Sequence, residues 1–535
     1  MNVAQAVMDV LARDGVSHMF GVPGGGTSLD LIKAAGERNI RFVLTRTETG
    51  AAFMAATMAD LSGSPGVAFA TQGPGTASAV NGVAQAWLDK SPMVLFTDGW
   101  SAAKARYDSH QRYDQRALLA GIVKGHSRLD GERPATDFRN LLGIAMTSPQ
   151  GPIYVELTAE TASAQVDDAD ASTHGKGNTS SSDEPIDTAR ALLSAAKRPV
   201  IIAGLEARDA DVVRALVPLA ETLGCPVLTT YKAKGVMPSS HDLYTGLFTG
   251  GALEAPCVSR ADLIVFVGFD PVELIGKPWQ YNSKVLDLGP VSYESHYVTP
   301  DTAYRGDLSA GLSALAATAA PSAWTRAEIA RLKADMAERL AAYGNTRDGL
   351  SPVDVVKTVQ DIARSFNARA TIDAGAHMFS AMQYWDAEAP NEILISNGLS
   401  TMGYALPAAI ASALCDPNRP TVAFTGDGGL LMCAGELATA ANVGANIVVV
   451  VFNDSGLSLI ELKQRARQLP QGNLRWDRID FARIAEGAGV KGYRATTLDE
   501  LRAAAEEALR LKGPCLIDVT VDPSGYDQQS VALRG

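Results

Sequence analysis

Residues 425–456, TGDGGLLMCAGELATAANVGANIVVVVFNDSG, gather the residue types that can hold a phosphorylated ligand and a hard cation. Asp427 stands between Gly426 and Gly428; a small-residue helix follows, then an apolar strand, then Asn453-Asp454. Gly428 and Gly429 leave backbone N–H groups bare at the start of a helix, where the partial positive charge favours phosphate. Asp427, at the end of its strand, offers a hard oxygen to Mg²⁺, and Asp454, at the end of the next strand, offers a second. Another candidate is Glu48 in RTETGAAFMAATMA, which follows the strand FVLTR and opens a helix. Alone, such a glutamate is an ordinary N-terminal helix residue stabilised by the dipole. Three further segments are rich in glycine beside polar groups: GVPGGG (21–26), TQGPGTASAVNG (71–82) and DAGAHMF (373–379). Glycine turns end many strands, so these carry less by themselves.

The elements that must position these residues follow an α/β rhythm. Up to about residue 165, helical spacing in VAQAVMDVLARDG alternates with the strands HMFGV, IRFVLTR, GVAFA and PMVLFTD, as in a parallel sheet wrapped by helices. Residues 166–187, rich in Ser, Gly and Asp, read as an exposed linker. A second unit over 188–318 carries RPVIIAG, CPVLTTY and ADLIVFVGFD. The charged helix TRAEIARLKADMAERLAAYG, within a connector at 319–350, leads to a third unit over 351–535 with RATIDAG, TVAFTGDGG, NIVVVVFND and PCLIDVTVD. The expected fold is therefore α/β, three consecutive doubly wound domains with mainly parallel sheets.

A net charge of −12 argues against nucleic acid as the main partner. Apolar runs such as 447–452 are too short to span a bilayer, and the N-terminus lacks a basic region with a cleavage site. The five scattered cysteines form no CxxC and read as apolar fillers in a reducing cytoplasm.

The GDG…ND pattern resembles the diphosphate- and Mg²⁺-binding motif of thiamine diphosphate enzymes, whose usual second metal residue is Asn where this chain has Asp454. Glu48 matches the glutamate that, in that family, hydrogen-bonds the pyrimidine ring nitrogen of the cofactor. The chemistry there needs a carboxyl in a mostly apolar site, with its proton near neutrality. ISNGLSTMGYALPAAIASAL (395–414) resembles the segment that bends the cofactor. By that match Met402 is the wedge, while the Ser400 carbonyl and Met402 N–H address the aminopyrimidine. Matches in order along almost the whole chain identify a member of the acetolactate synthase and pyruvate oxidase branch. The resemblance implies thiamine diphosphate bound by Gly24, Gly25, Glu48, Gly75, His377, Ser400, Met402, Gly426, Asp427, Gly428, Gly429, Asp454, Gly456, Ser458 and Leu459. It implies Mg²⁺ on Asp427, Asp454 and the Gly456 carbonyl. It also implies a thiamine diphosphate-binding fold at both ends, a Rossmann-like middle domain, and a homodimer or homotetramer with sites between subunits.

The reaction so implied is cleavage or ligation of C–C bonds in 2-oxo acids, 2-hydroxy ketones or aldehydes through an enamine. His110 and Gln111, in YDSHQRYDQ, stand where the synthases carry Phe-Gln and the 2-oxo acid decarboxylases His-His. His110 is read as a proton shuttle, against the alternative of a surface histidine in a polar loop, and Gln111 as a substrate-orienting amide. Two departures argue against acetolactate as product. Residues 268–274, GFDPVEL, stand where the synthases carry GxRFDDR, so the acceptor-binding arginines are missing and Asp270 and Glu273 are expected to repel a carboxylate. Lys463 stands where those enzymes carry a pocket-shaping Trp. The same middle-domain loss makes FAD an unexpected cofactor. Rival readings are acetolactate synthase proper, a 2-hydroxyacyl-CoA lyase or oxalyl-CoA decarboxylase-like enzyme, and a catalytically silent nucleotide-binding protein on the same fold.

Overall fold

The computed structural model describes residues 1–166, 186–274, 276–294, 296–342, 346 and 349–534. Its strands form three six-stranded sheets, parallel at every pairing. The first holds β1 (His18–Val22), β2 (Arg41–Leu44), β3 (Gly66–Ala70), β4 (Met93–Asp98), β5 (His126–Ser127) and β6 (Ile153–Leu157), in the order β2-β1-β3-β4-β6-β5. The middle sheet holds β7 (Pro199–Ala203), β8 (Val227–Thr229), β9 (Tyr244–Leu247), β10 (Leu263–Val267), β11 (Lys284–Gly289) and β12 (Thr302–Arg305), ordered β12-β11-β10-β7-β8-β9. The last holds β13 (Arg369–Ile372), β14 (Ile393–Ile395), β15 (Thr421–Gly426), β16 (Ile447–Asn453), β17 (Lys491–Ala495) and β18 (Cys515–Thr520), ordered β14-β13-β15-β16-β18-β17. Counted from its own first strand, the last sheet repeats the permutation of the first. The expected class of three doubly wound α/β domains is the one observed.

The strand sequences explain their positions. β3, β4, β7, β10 and β16 are buried along their whole length, as continuous apolar strands covered on both faces should be. The helix Glu48–Ser62 is buried on every side from Gly50 to Ala59, the signature of a helix enclosed by others. Its small side chains pack on the helix Ala405–Cys415, so the first and last domains share one core. Phe53 meets Tyr404 edge-on at 5.6 Å, and Thr57 Oγ1 lies 3.3 Å from the Tyr404 hydroxyl.

The expected linker at 166–187 falls almost wholly outside the described residues. The charged connector helix, Arg326–Ala342, is more than a surface element: Ile329 and Leu332 enter the middle-domain core and Met336 the core of the last domain. All five cysteines are free, four buried and Cys415 half-buried. Among the described residues no helix is long and apolar enough to cross a membrane.

Candidate active site

In a doubly wound sheet, ligands bind beyond the carboxyl ends of strands where the strand order reverses. In the last domain that point lies between β13 and β15. Asp373 follows β13, Asp427 ends β15 and opens the helix Asp427–Cys433, and Asp454 follows the adjacent β16. The expected single small-residue helix after Gly426 is two short ones, Asp427–Cys433 and Glu436–Val443.

Asp427 is buried; its Oδ1 accepts the Gly428 N–H at 2.8 Å and its Oδ2 the Gly456 N–H at 3.2 Å. The Gly456 turn is thus fastened to the metal-candidate carboxylate. Ser458 donates its hydroxyl to Asp454 Oδ2 at 2.6 Å. Burial, only partly offset by backbone N–H groups, pushes the Asp427 carboxyl up to about 6. Burial, with the Asp427 charge adding to it against the Ser458 hydroxyl, pushes Asp454 up to about 7. A buried and a half-buried carboxyl at neighbouring strand ends, each held back from ionising, suit a divalent cation that displaces their protons. Among the described residues no three His, Cys, Asp or Glu side chains cluster for a metal.

Gly428 is the floor of a cradle. A Cβ built there would lie 3.0 Å from Leu457 Cδ2, 3.3 Å from the Trp476 ring and 3.5 Å from Met402 Cε. Met402 therefore lies over the start of the phosphate-type helix, and Ser400, at φ +52°, shapes its loop. His377 opens the helix His377–Tyr384, stacks on Phe452 at 5.3 Å, and has Nδ1 3.3 Å from a Cβ built on Gly426. Burial pushes its imidazole down to about 4, so it is neutral at physiological pH, and its Nε2 has no hydrogen-bond partner among the described residues. The indole of Trp476 likewise leaves its buried N–H without a partner. These orphaned atoms and the glycine cradle fit a diphosphate-bearing ligand. Leu459 is half-buried, packed against the last domain's core.

In the first domain the order reverses between β1 and β3. Gly24 follows β1, and a Cβ there would lie 2.3 Å from Thr71 Oγ1; Gly25 faces open space. Thr71 and the Ser28 N–H both donate to Asp98, a base for these loops. Glu48 is half-buried, and its Oε1 lies 3.1 Å from a Cβ built on Gly75. Gln111, at φ +59°, lies with its backbone against Gly73, and Tyr113 donates its hydroxyl to the Gly73 carbonyl at 2.8 Å. Gly75 thus meets Glu48, and two residues earlier Gly73 meets the exposed Gln111. His110 is exposed, its backbone N–H donating to Asp108 at 3.0 Å.

Within one chain, no hydrogen bond or ion pair among the described residues joins Glu48 to Asp427 or Asp454. Each half is instead braced by residues the sequence did not single out. Asp373, buried, accepts from Gly403 N–H at 3.0 Å, Tyr404 N–H at 3.1 Å and Thr425 Oγ1 at 2.8 Å, tying the Met402 loop to β15. Glu436, from the last domain, accepts the Arg46 and Thr47 N–H groups, each at 3.0 Å, and so holds the turn that presents Glu48. The signal for Asp373 was available: RATIDAG ends a strand in Asp before small residues, as TGDG does.

Lys463 is exposed, and the irregular segment after its helix brings the Trp476 indole to the cradle. One expectation about the substrate side changes. Asp270 and Glu273 turn inward rather than toward an acceptor. Asp270 pairs with Lys90 at 3.3 Å, while Glu273 accepts the Leu205 N–H at 2.7 Å and the Thr230 hydroxyl at 2.6 Å. Burial pushes Glu273 up to about 8, so it holds its proton at neutral pH and repels nothing.

Comparison with known proteins agrees with this geometry. Residues 1–118, 186–315 and 373–519 match, in turn, the N-terminal TPP binding domain, the central domain and the C-terminal TPP binding domain of the thiamine pyrophosphate enzymes. The chain belongs to that family, on its acetolactate synthase and pyruvate oxidase branch. It is 28% identical to an acetolactate synthase of Bacillus subtilis (strain 168), over 97% of this chain and 93% of that one. It is 29% identical to the acetolactate synthase isozyme 1 large subunit of Escherichia coli (strain K12), over 97% and 94%. It is also 28% identical to a probable 2-ketoarginine decarboxylase, AruI, of Pseudomonas aeruginosa, again over 97% and 94%.

Proposed function

We propose that this chain is a thiamine diphosphate- and Mg²⁺-dependent lyase or carboligase that breaks or forms the C–C bond beside the carbonyl of 2-oxo acids, 2-hydroxy ketones or aldehydes. The observation that carries the reading is the pair Asp427 and Asp454 at adjacent strand ends, beneath a cradle of Gly428, Met402 and Trp476. Asp427, Asp454 and the Gly456 carbonyl hold the cation; Gly428 and Gly429 N–H groups and His377 receive the diphosphate; Met402 and Ser400 seat the aminopyrimidine. When bound, thiamine diphosphate supplies the electron sink for bond cleavage. Glu48 would hold a proton at the pyrimidine nitrogen, His110 would move a proton at the reacting carbon, and Gln111 would orient the substrate through its amide. Domain bounds of 1–165, 188–318 and 351–535 accompany this reading.

Acetolactate is not the favoured product, although relatives carry that name. The reason is the missing guanidinium in residues 268–274 rather than repulsion, since Asp270 and Glu273 are engaged elsewhere. Flavin is also not proposed. The middle sheet reverses between β7 and β10, and that point is filled by the chain itself: a Cβ on Gly204 would lie 2.5 Å from Phe269 Cα, and Glu273 bonds Leu205 across the gap.

The test has two arms. Chelated, cofactor-free protein should regain activity with thiamine diphosphate plus Mg²⁺, and Asp427→Ala should not. Full activity without either would end the reading. With pyruvate and an aldehyde competing at equal concentration, ligation to the aldehyde should dominate; acetolactate as the main product would favour the synthase instead.

A further inference from the structure

The loop 396–403, which carries Ser400 and Met402, is held at both ends by buried carboxylates from elsewhere in the chain. Asp373 holds its C-terminal end through the Gly403 and Tyr404 N–H groups. At the other end the Gly398 N–H donates to Asp89 Oδ1 at 2.8 Å. Asp89 is the C-cap of the helix Pro74–Leu88 in the first domain, with its side chain 1% exposed. A carboxylate is badly placed there, since the helix dipole presents negative charge at that end and burial removes water. The compensation comes from the third part of the molecule. Lys232, in the segment after β8 of the middle domain, places Nζ 2.9 Å from Asp89 Oδ2 and 3.1 Å from Asp60 Oδ2, its side chain 2% exposed. Gln85 Nε2 donates to Asp89 Oδ2 at 2.8 Å, and Arg208 Nη1 lies 3.4 Å from Asp60 Oδ2. Two cations and two carboxylates balance in a water-excluded junction of all three domains.

We infer that Lys232 is a positioning residue for the cofactor loop: acting through Asp89 and Gly398, it fixes the segment that presents Ser400 and Met402. This rests on the reading of that loop as the aminopyrimidine seat. Without the ammonium, the Arg208 guanidinium remains on Asp60, but the buried Asp89 carboxylate keeps only the Gln85 amide at Oδ2 and turns toward water. That turn releases the Gly398 N–H, and the loop is then held at one end only. The middle domain thereby takes part in cofactor binding without touching the cofactor.

The experiment uses full-length protein and two readouts: amide hydrogen exchange of peptides covering 396–404 in cofactor-free protein, and thiamine diphosphate affinity in excess Mg²⁺ by calorimetry. Lys232→Met is expected to speed exchange in that segment and to weaken binding about tenfold or more, as loss of one partner of a buried charge pair implies. Lys232→Arg, which keeps the charge, should stay within about threefold of wild type. A folded Lys232→Met with wild-type exchange, or with affinity within about twofold of wild type, overturns the inference. If Lys232→Met does not fold, Asp89→Asn takes its place. Its amide nitrogen would face the donors Lys232 and Gln85, so the same loosening and the same thresholds apply. Wild-type protein that takes up no thiamine diphosphate would remove the cofactor reading, while the exchange comparison still decides whether Lys232 holds the loop.

Discussion

Glu48 and Gly429 show how differently two residues of one site respond to change. Glu48 sits against Gly75, with no hydrogen bond among the described residues engaging its carboxylate, so its side chain is available to a ligand. Glu48→Gln should keep cofactor binding but slow turnover by roughly 10²–10⁴-fold, because the amide can donate a hydrogen bond to the ring nitrogen but cannot exchange a proton with it. Cofactor C2–H exchange, followed by NMR in deuterated water, reads this directly; an unchanged exchange rate would make Glu48 a structural residue. Gly429 has no such slack. A Cβ there would lie 2.3 Å from Asp373 Oδ2, whose carboxylate is already fixed by Gly403, Tyr404 and Thr425. Gly429→Ala should therefore cost about 1–3 kcal/mol of stability and loosen cofactor binding with it. A variant melting with the wild type would show that Asp373 can give way.

The loops after β7 and β10 pose a question of charge at the scale of elements. Glu206, on the turn after β7, has both carboxylate oxygens shut off from water, with the Tyr293 hydroxyl facing them. Burial, reinforced by the Asp270 charge, pushes it up to about 8. An unfolded glutamate titrates near about 4.3. Between these values the folded protein holds a proton that the unfolded chain has lost. The stabilisation is complete below the unfolded value and is lost as pH rises through about 8. Glu206→Gln cannot titrate, so its melting temperature should fall less between pH 5 and pH 8 than that of the wild type. Parallel melting curves across that window would mean that Glu206 is ionised in the folded state.

Across the whole molecule, the first domain brings Glu48 and the last brings Asp427 and Asp454, and within one chain no hydrogen bond among the described residues joins Glu48 to either aspartate. Beside the cradle, the helix Asp427–Cys433 exposes Leu431 at 43% and Met432 at 61%. In the expected homodimer or homotetramer these two apolar side chains would be covered by a second copy. A second copy of this chain would bring its own Glu48 half. Met432→Arg should then reduce the assembly, measured by light scattering, and activity together. A wild-type monomer with full activity would remove the need for a partner.

The sequence by itself determined the layered α/β class and the metal-candidate pair, because both are local: strand alternation, and carboxylates beside glycines at strand ends. It also marked Glu48 and Met402 through short segments whose neighbours in sequence are their neighbours in space. Trp476, Glu436, Asp373 and Lys232 escaped because their partners lie far along the chain. Glu436 reaches Thr47, and Lys232 reaches Asp60 and Asp89 in another domain. The orientation of Asp270 and Glu273 could not be read from charge either. Whether an acid faces substrate or its own chain depends on which loop packs across it, here the loop after β7 for Glu273 and Lys90 of the first domain for Asp270.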